Sequence, residues 1–422
     1  MYKKTLLDNG LKIIAHRMPQ RQSLALGIWI NVGGRYESSQ NKGISHYLEH
    51  LLFKGSKDYS CRQIKESIEG VGGSLNAFTS EELTCYLVKI PERHFKPALD
   101  ILSDMVLHPV LSAEEMQKER TVILEEIKMY KDQPQSYVHD LLDELLWPHQ
   151  PLGLPIIGSA ENIIRMAREE IFSFKESYYT AENIVISVAG SFAYEHLLKS
   201  VKQKFHRLKR SKPNVFAPVS LAQDKPALKL FFKETEQTHM ALGFHGFNRG
   251  HPLRHAMGML HVVLGGNMSS RLFNEIREKR GLAYEIGTQV KRFHDTGAFL
   301  VHAGIDNRKV PETTKLILQE LRKCKDNLIS DSEFKRAKEF YLGQLMLALE
   351  DSMDYMLWIG ETTATLNKTY SLEGIIKEVN KVKPKDVREA ARQVFQEAKL
   401  NLALIGPVKE QEQDIHNELK LN

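Results

Sequence analysis

One structural plan is written twice in this chain, and that repetition limits its fold more than any other feature. An apolar segment closed by glycine, Asn183-Ile-Val-Ile-Ser-Val-Ala-Gly190, follows a helical stretch rich in aromatic residues between Phe172 and Tyr179. The C-terminus repeats this order: Asp386 to Phe395 reads as a helix, and Leu400-Asn-Leu-Ala-Leu-Ile-Gly406 as a strand whose glycine lies 216 positions beyond Gly190. Two S-x-x-E capping boxes, Ser112–Glu115 and Ser330–Glu333, stand 218 positions apart, and each opens a long amphipathic helix. Upstream of each box runs a glycine-punctuated pair of strands, Leu75–Thr79 with Leu83–Ile90 and Tyr284–Lys291 with Ala298–Gly304. A tandem duplication is the simplest source of such a pattern. The chain, 422 residues long, also exceeds what one hydrophobic core usually serves. Strands that pair antiparallel and are followed by helices predict an α+β class, with two similar α/β-sandwich domains of antiparallel-rich sheet and packed helices. The expected boundaries are 1–206 and 227–422, joined by a linker over 207–226 that carries Pro213, Pro218 and Pro226.

With 42% hydrophobic and 26% charged residues, the chain has material for packed cores and too much of it for disorder. A net charge of +5 is small for this length, and the densest basic run, Arg207 to Lys212, falls in the linker, so a solvated connection is expected and no nucleic-acid partner. Cys61, Cys85 and Cys324 are too scattered for a disulfide framework or a CxxC site and read as reduced thiols. The first residues alternate around a hairpin-type Asn9-Gly10 turn, unlike a secretion signal, and no run reaches the 18 or so apolar residues of a membrane span. A cytoplasmic protein without a membrane partner is the expectation.

His46-Tyr-Leu-Glu-His50 supplies the chemistry. On a helix, His46, Glu49 and His50 fall within about 100° of one another, while Ile44, Tyr47, Leu48, Leu51 and Leu52 cluster opposite. Two histidines at i and i+4 can share one zinc ion, and a carboxylate on the same face can take a proton from the attacking water. The pattern is the inverted form of HExxH. A surface helix carrying two histidines and a glutamate would show the same five residues, so a third ligand decides. The helix opened by Ser112 offers Glu119, Glu125 and Glu126. Its stripe of Met116, Ile123, Leu124, Ile127 and Tyr130 has Glu119 and Glu126 on one flank, with Glu125 facing away. A carboxylate bordering a buried stripe is costly unless paired or coordinated. Glu126 is therefore the ligand candidate and Glu119 its supporting partner.

At these residues the sequence resembles the pitrilysin/insulinase family of inverzincin metallopeptidases, in the short-chain branch similar to the mitochondrial processing peptidase. The resemblance spans nearly the whole chain. It implies one zinc ion per chain held by His46, His50 and Glu126, with Glu49 as catalytic base and Glu119 in the auxiliary catalytic position within Glu119-Arg-Thr-Val-Ile-Leu-Glu-Glu126. Asn76-Ala-Phe-Thr-Ser80 resembles the family's edge strand, so Asn76, Ala77 and Phe78 are expected to bind an extended peptide by strand addition. Glu275 to Tyr284 resembles the C-terminal signature, in which Arg277 and Tyr284 bind substrate carbonyls. The likeness also implies a bowl-shaped half of a clamshell, and hence a homodimer in which the second half of one chain completes the site of the other. A monomer closing about the linker is the alternative.

The second half is expected to lack a metal site. His251-Pro-Leu-Arg-His255 has arginine where the base would stand, Pro252 suits a first-turn position that leaves His251 at the cap, and the capping-box offset puts Gln344 opposite Glu126. The leading reading is a zinc endopeptidase acting on unfolded or short peptides. Its rivals are a catalytically silent scaffold or partner subunit of a processing-peptidase-like complex, and a plain metal-binding module.

Overall fold

The computed structural model describes residues 2–211 and 215–421. Lys212 and Pro213, part of the expected linker, lie outside the described residues. In chain order the elements are β1 (Tyr2–Leu6), β2 (Lys12–Arg17), β3 (Ser23–Ile30), α1 (Ile44–Leu52), α2 (Cys61–Glu69), β4 (Ser74–Thr79), β5 (Thr84–Pro91), α3 (Phe95–Leu107), α4 (Ala113–Asp132), α5 (Pro134–Leu146), α6 (Ala160–Arg165), α7 (Arg168–Tyr178), β6 (Ile184–Gly190) and α8 (Tyr194–Phe205). There follow β7 (Ala227–Phe231), β8 (Gln237–Gly246), α9 (Arg254–Leu264), β9 (Ala283–Arg292), β10 (Gly297–Asp306), α10 (Val310–Asp326), α11 (Asp331–Ala348), α12 (Ser352–Leu366), α13 (Leu372–Lys381), α14 (Pro384–Val394), β11 (Asn401–Ile405) and α15 (Glu412–Glu418).

Two sheets form, ordered β1-β2-β6-β3-β5-β4 and β7-β11-β8-β10-β9. Apart from β1, they follow the same path. In each, the last strand in sequence enters the sheet beside the first, parallel to it (β6 along β2, β11 along β7), and every other pairing is antiparallel. The duplication expected from Gly190 and Gly406 is thus a duplication of strand order. The N-terminal Asn-Gly turn joins β1 to β2, and Gly10 takes a left-handed φ of 93° there.

The compact units are not the contiguous halves 1–206 and 227–422. Unit 1 comprises Met1–Lys128, Leu154–Ala217 and Met346–Ser371; unit 2 comprises Met129–Gly153, Pro218–Leu345 and Leu372–Asn422. Each half of the sequence gives one helix to the other unit's sheet. In unit 2, Val138, Leu141, Leu142 and Leu146 of α5 form a core with Ala241, Ala298, Leu300 and Ala403 of the second sheet. In unit 1, α12 lies against β3 and β6 so closely that a Cβ at Gly360 would come 2.1 Å from Trp29 Nε1. Helical periodicity can show that such a segment has an apolar face but not which sheet receives it. The described residues of 207–226 form neither helix nor strand.

The opposite face of the first sheet carries the main core of unit 1, where Ile28, Tyr47, Leu48, Leu51, Leu99, Ile123 and Ile186 meet. This core is what seats α1 and α4 beside each other. No helix among the described residues is long and apolar enough to cross a membrane, and the three cysteines are free thiols.

Candidate metal centre

Helix α1 turns the way the projection requires. Ile44, Tyr47, Leu48, Leu51 and Leu52 are buried, whereas His46, Glu49 and His50 are partly exposed along one side. Its N-terminus is fixed by Glu37, a buried carboxylate that accepts hydrogen bonds from Gly43 N (3.0 Å) and Ser45 N (2.8 Å), a favourable place for negative charge. Gly43 precedes the helix with φ of 100°, and a Cβ there would come 2.7 Å from Ile157 O. Midway along, the Tyr47 hydroxyl donates to the Met116 carbonyl and ties α1 to α4.

Helix α4 brings the third group. His46, His50 and Glu126 each offer one ligand atom, and these atoms lie within 4.8 Å of one another. Glu126 Oε2 stands 3.6 Å from His50 Nε2 and 3.9 Å from His46 Nε2. A tetrahedral zinc shell places neighbouring ligand atoms roughly 3.4 Å apart, so little adjustment is needed, and two imidazoles with a carboxylate suit zinc. Among the described residues no other such group of three occurs. Glu125 points away to Lys128 (2.7 Å), as the projection requires. The stripe is shorter than expected, however, because Tyr130 is 40% exposed and the buried positions end at Ile127.

Glu119 is buried and supports the site from behind. Its Oε2 lies 3.1 Å from His50 Nδ1 and its Oε1 2.6 Å from Lys54 Nζ. A carboxylate on Nδ1 turns Nε2 toward the ligand position and makes it more basic. Burial pushes the Glu119 carboxyl up, but His50 and Lys54 outweigh it and the net shift is downward. For His50, burial opposes the charged form, and Glu119, Glu126 and Glu49 together overcome it and raise the imidazole. His46 goes the other way: burial, helped by His50, lowers it to about 4, which keeps it the neutral imidazole a metal requires. Its buried Nδ1 has no hydrogen-bond partner among the described residues, so only one of the two histidines is held from behind.

Glu49 is not among the three converging groups. Burial raises its carboxyl above the usual range, partly countered by Thr79, whose Oγ1 donates to Glu49 Oε2 at 2.5 Å. Thr79 ends β4, the free edge of the first sheet. Asn76 and Phe78 on that strand are exposed, Phe78 resting edge-on against Trp29, and Ala77 is half-buried. The Ala77 N–H is met by Asn76 Oδ1 at 2.9 Å. Thr79, Glu37 and Lys54 went unassigned in the sequence because their roles depend on contacts that local spacing does not encode.

In unit 2, Arg277 lies on a wide turn of helix, Phe273–Glu278, and Tyr284 at the start of edge strand β9 is 73% exposed. The Arg277 guanidinium lies 4.8 Å from the Phe273 ring centroid and 5.4 Å from that of Tyr284, so these two expected substrate-binding residues are neighbours. His251 precedes α9 and stacks on Phe247 at 3.9 Å, and His255 is buried beside Tyr341. Pro252 sits in the turn ahead of the helix and not in its first turn.

The chain is similar to known proteins along nearly its whole length. The sequence profile described as Insulinase (Peptidase family M16) matches residues 12–160, and the one described as Peptidase M16 inactive domain matches residues 165–341. The chain is 38% identical to the uncharacterized zinc protease YmxG of Bacillus subtilis, over 96% of this chain and 98% of that one. It is 34% identical to the uncharacterized zinc protease SCO5738 of Streptomyces coelicolor, over 97% and 90% respectively. A protease from Helicobacter pylori has the same fold, with a TM-score of 0.88 at 22% identity across 96% of this chain and 99% of its own.

Proposed function

The chain belongs to the insulinase family of peptidases (M16), and from that premise we propose that it is a zinc-dependent endopeptidase acting on unfolded or short peptides. The observation that carries the proposal is the convergence of His46, His50 and Glu126 on one point, with Glu49 on the same helix face and the free edge strand β4 beside it. A zinc ion held by those three residues would polarise a peptide carbonyl and lower the pKa of water. Glu49, the one carboxylate of the helix face outside the ligand set, would accept the proton of the attacking water and pass it to the leaving amine. The unpaired edge of β4 would hold the substrate backbone as an added strand, which selects for extended chain more than for particular side chains. Arg277 and Tyr284 would donate hydrogen bonds to substrate carbonyls. We further propose a cytoplasmic homodimer in which they do so in the partner's site. Nothing the mechanism needs has been lost from the sequence, which argues against a silent scaffold.

Glu49→Gln tests the assignment. The variant should keep one zinc per chain while turnover of a peptide library falls about 10²- to 10⁴-fold, the range of general-base catalysis. Near-normal turnover would remove Glu49 from the chemistry.

A further inference from the structure

The Thr79 hydroxyl that meets Glu49 is held in a frame built for that contact. Thr79 is followed by a tight turn in which Ser80 N and Ser80 Oγ both reach Leu83 O (2.7 and 3.0 Å) and Leu83 N returns to Ser80 Oγ (3.1 Å). The turn docks on the segment that leads to α1. Gly34 N donates to Ser80 O (3.0 Å), Arg35 N to Glu81 O (2.7 Å), and the buried Arg35 guanidinium pairs with Glu82 at 2.8 Å. Contact is so close that a Cβ on Gly33 would come 2.1 Å from Ser80 O. From there Lys42 Nζ reaches both Gly34 O (2.7 Å) and Glu37 (3.6 Å), the carboxylate that caps α1. The end of the edge strand and the start of the helix bearing Glu49 are therefore fixed to one another by buried polar groups. Across that fixed distance Thr79 is the one hydrogen-bond partner of the Glu49 carboxylate among the described residues, through Oε2, which leaves Oε1 free.

From this geometry we infer that Thr79 is a positioning residue for hydrolysis: its hydroxyl pins one oxygen of Glu49 so that the other faces the attacking water. The inference rests on the reading of Glu49 as base. Leu75, Ala77 and Thr79 are the half-buried positions of β4 and Asn76 and Phe78 the exposed ones, so the strand offered to a peptide also sets the orientation of the base. A hydroxyl-to-carboxylate bond of this length is charge-assisted and stronger than a neutral one. Without it, the carboxylate would rotate among orientations of which few are productive.

Thr79→Val, which keeps the shape and the strand preference and removes only the donor, is the test. It should lower kcat about 10- to 100-fold, the effect of one lost aligning contact, with KM within about threefold and zinc unchanged. Thr79→Ser, which restores the hydroxyl, should recover most of kcat. Unchanged kcat in Thr79→Val overturns the inference, as does equal impairment in valine and serine variants, a raised KM at constant kcat, or loss of zinc. A parallel Glu49→Gln measurement separates the two claims. If that variant is dead while Thr79→Val is normal, only the positioning role falls; if Glu49→Gln is active, the base assignment falls and takes the positioning role with it.

Discussion

The two units share a strand order and differ in what fills the space between a matched pair of helices. In unit 1 the pair is α1 and α4, and polar side chains meet there: His46, Glu49 and His50 from one, Glu119 and Glu126 from the other. In unit 2 the pair is α9 and α11, and an aromatic ring fills the gap. Tyr341 lies against His255 and presses on Gly258, where a Cβ would come 2.7 Å from the ring. Nearly every residue of α9 is buried, and Gln344 on α11 is exposed. A fold of this kind does not itself require a metal, because the same layers also close over an aromatic ring. What distinguishes the copy proposed to hold a metal is a set of polar groups that would be costly to bury without coordination or hydrogen bonds.

The largest effects should follow from changing the ligand set. His46→Ala, His50→Ala or Glu126→Ala should each leave purified protein with little zinc and no measurable peptide hydrolysis, since three protein ligands are the minimum for a catalytic zinc site. His255→Ala, the matching change in unit 2, should retain one zinc per chain by elemental analysis. Zinc retained by Glu126→Ala or lost from His255→Ala would break the contrast between the units.

Unit 2 is proposed to contribute Arg277 in place of metal ligands. Arg277→Ala should reduce turnover about 10²- to 10³-fold, as loss of an oxyanion-type donor does, without loss of zinc. Mixing Arg277→Ala with Glu49→Gln chains then tests whether the sites are shared. In a two-fold dimer the mixed species has one site with an intact zinc half from the first chain and an intact Arg277 from the second, so activity should return after subunit exchange. No recovery despite demonstrated exchange would place both groups in one chain's site. Smaller still is the effect expected of Glu119→Gln, which keeps the shape but not the charge beside His50 and Lys54. Its zinc affinity should fall about 10- to 100-fold in chelator competition, the usual cost of losing such a partner. An unchanged affinity would leave Glu119 a purely structural acid.

Legibility from sequence followed the range of the interaction. The ligand face of α1 and the choice of Glu126 over Glu125 depend on helical periodicity, and in the structure Glu126 lies near His46 and His50 while Glu125 turns to Lys128. The serine caps are also local, and Glu115 N and Glu333 N are met by Ser112 Oγ and Ser330 Oγ at 3.2 and 3.3 Å. The returning half of each expected capping box is not made among the described residues, because the Glu115 carboxylate turns to Lys118 and that of Glu333 to Arg271. Unit boundaries were not legible, because the apolar faces of α5 and α12 show that something covers them but not which sheet. Glu37 and Thr79 were silent for a similar reason. Each acts on α1 from a segment whose approach is set by tertiary packing, and neither stands at a spacing that announces a partner.

The smallest effect concerns the plug itself, and its sign carries the information. Replacing a mid-helix glycine by alanine ordinarily stabilises by about 0.5–1 kcal/mol, because alanine loses less backbone freedom on folding. At Gly258 the new methyl would meet Tyr341 Cε2 at 2.7 Å, with Cζ and the hydroxyl oxygen each at 3.2 Å, so the ring must shift. Overpacking of this kind costs about 1–3 kcal/mol, enough to reverse the gain and leave Gly258→Ala slightly less stable than the parent in urea unfolding. In a Tyr341→Ala background the obstacle is gone, and the same substitution should be stabilising by about 0.5–1 kcal/mol. That change of sign is the mark of a gap filled by the ring. If Gly258→Ala is equally stabilising with or without Tyr341, the ring does not occupy the space, and the contrast with the polar gap of unit 1 must be drawn elsewhere. Zinc content should stay at one per chain throughout, since none of these atoms belongs to unit 1.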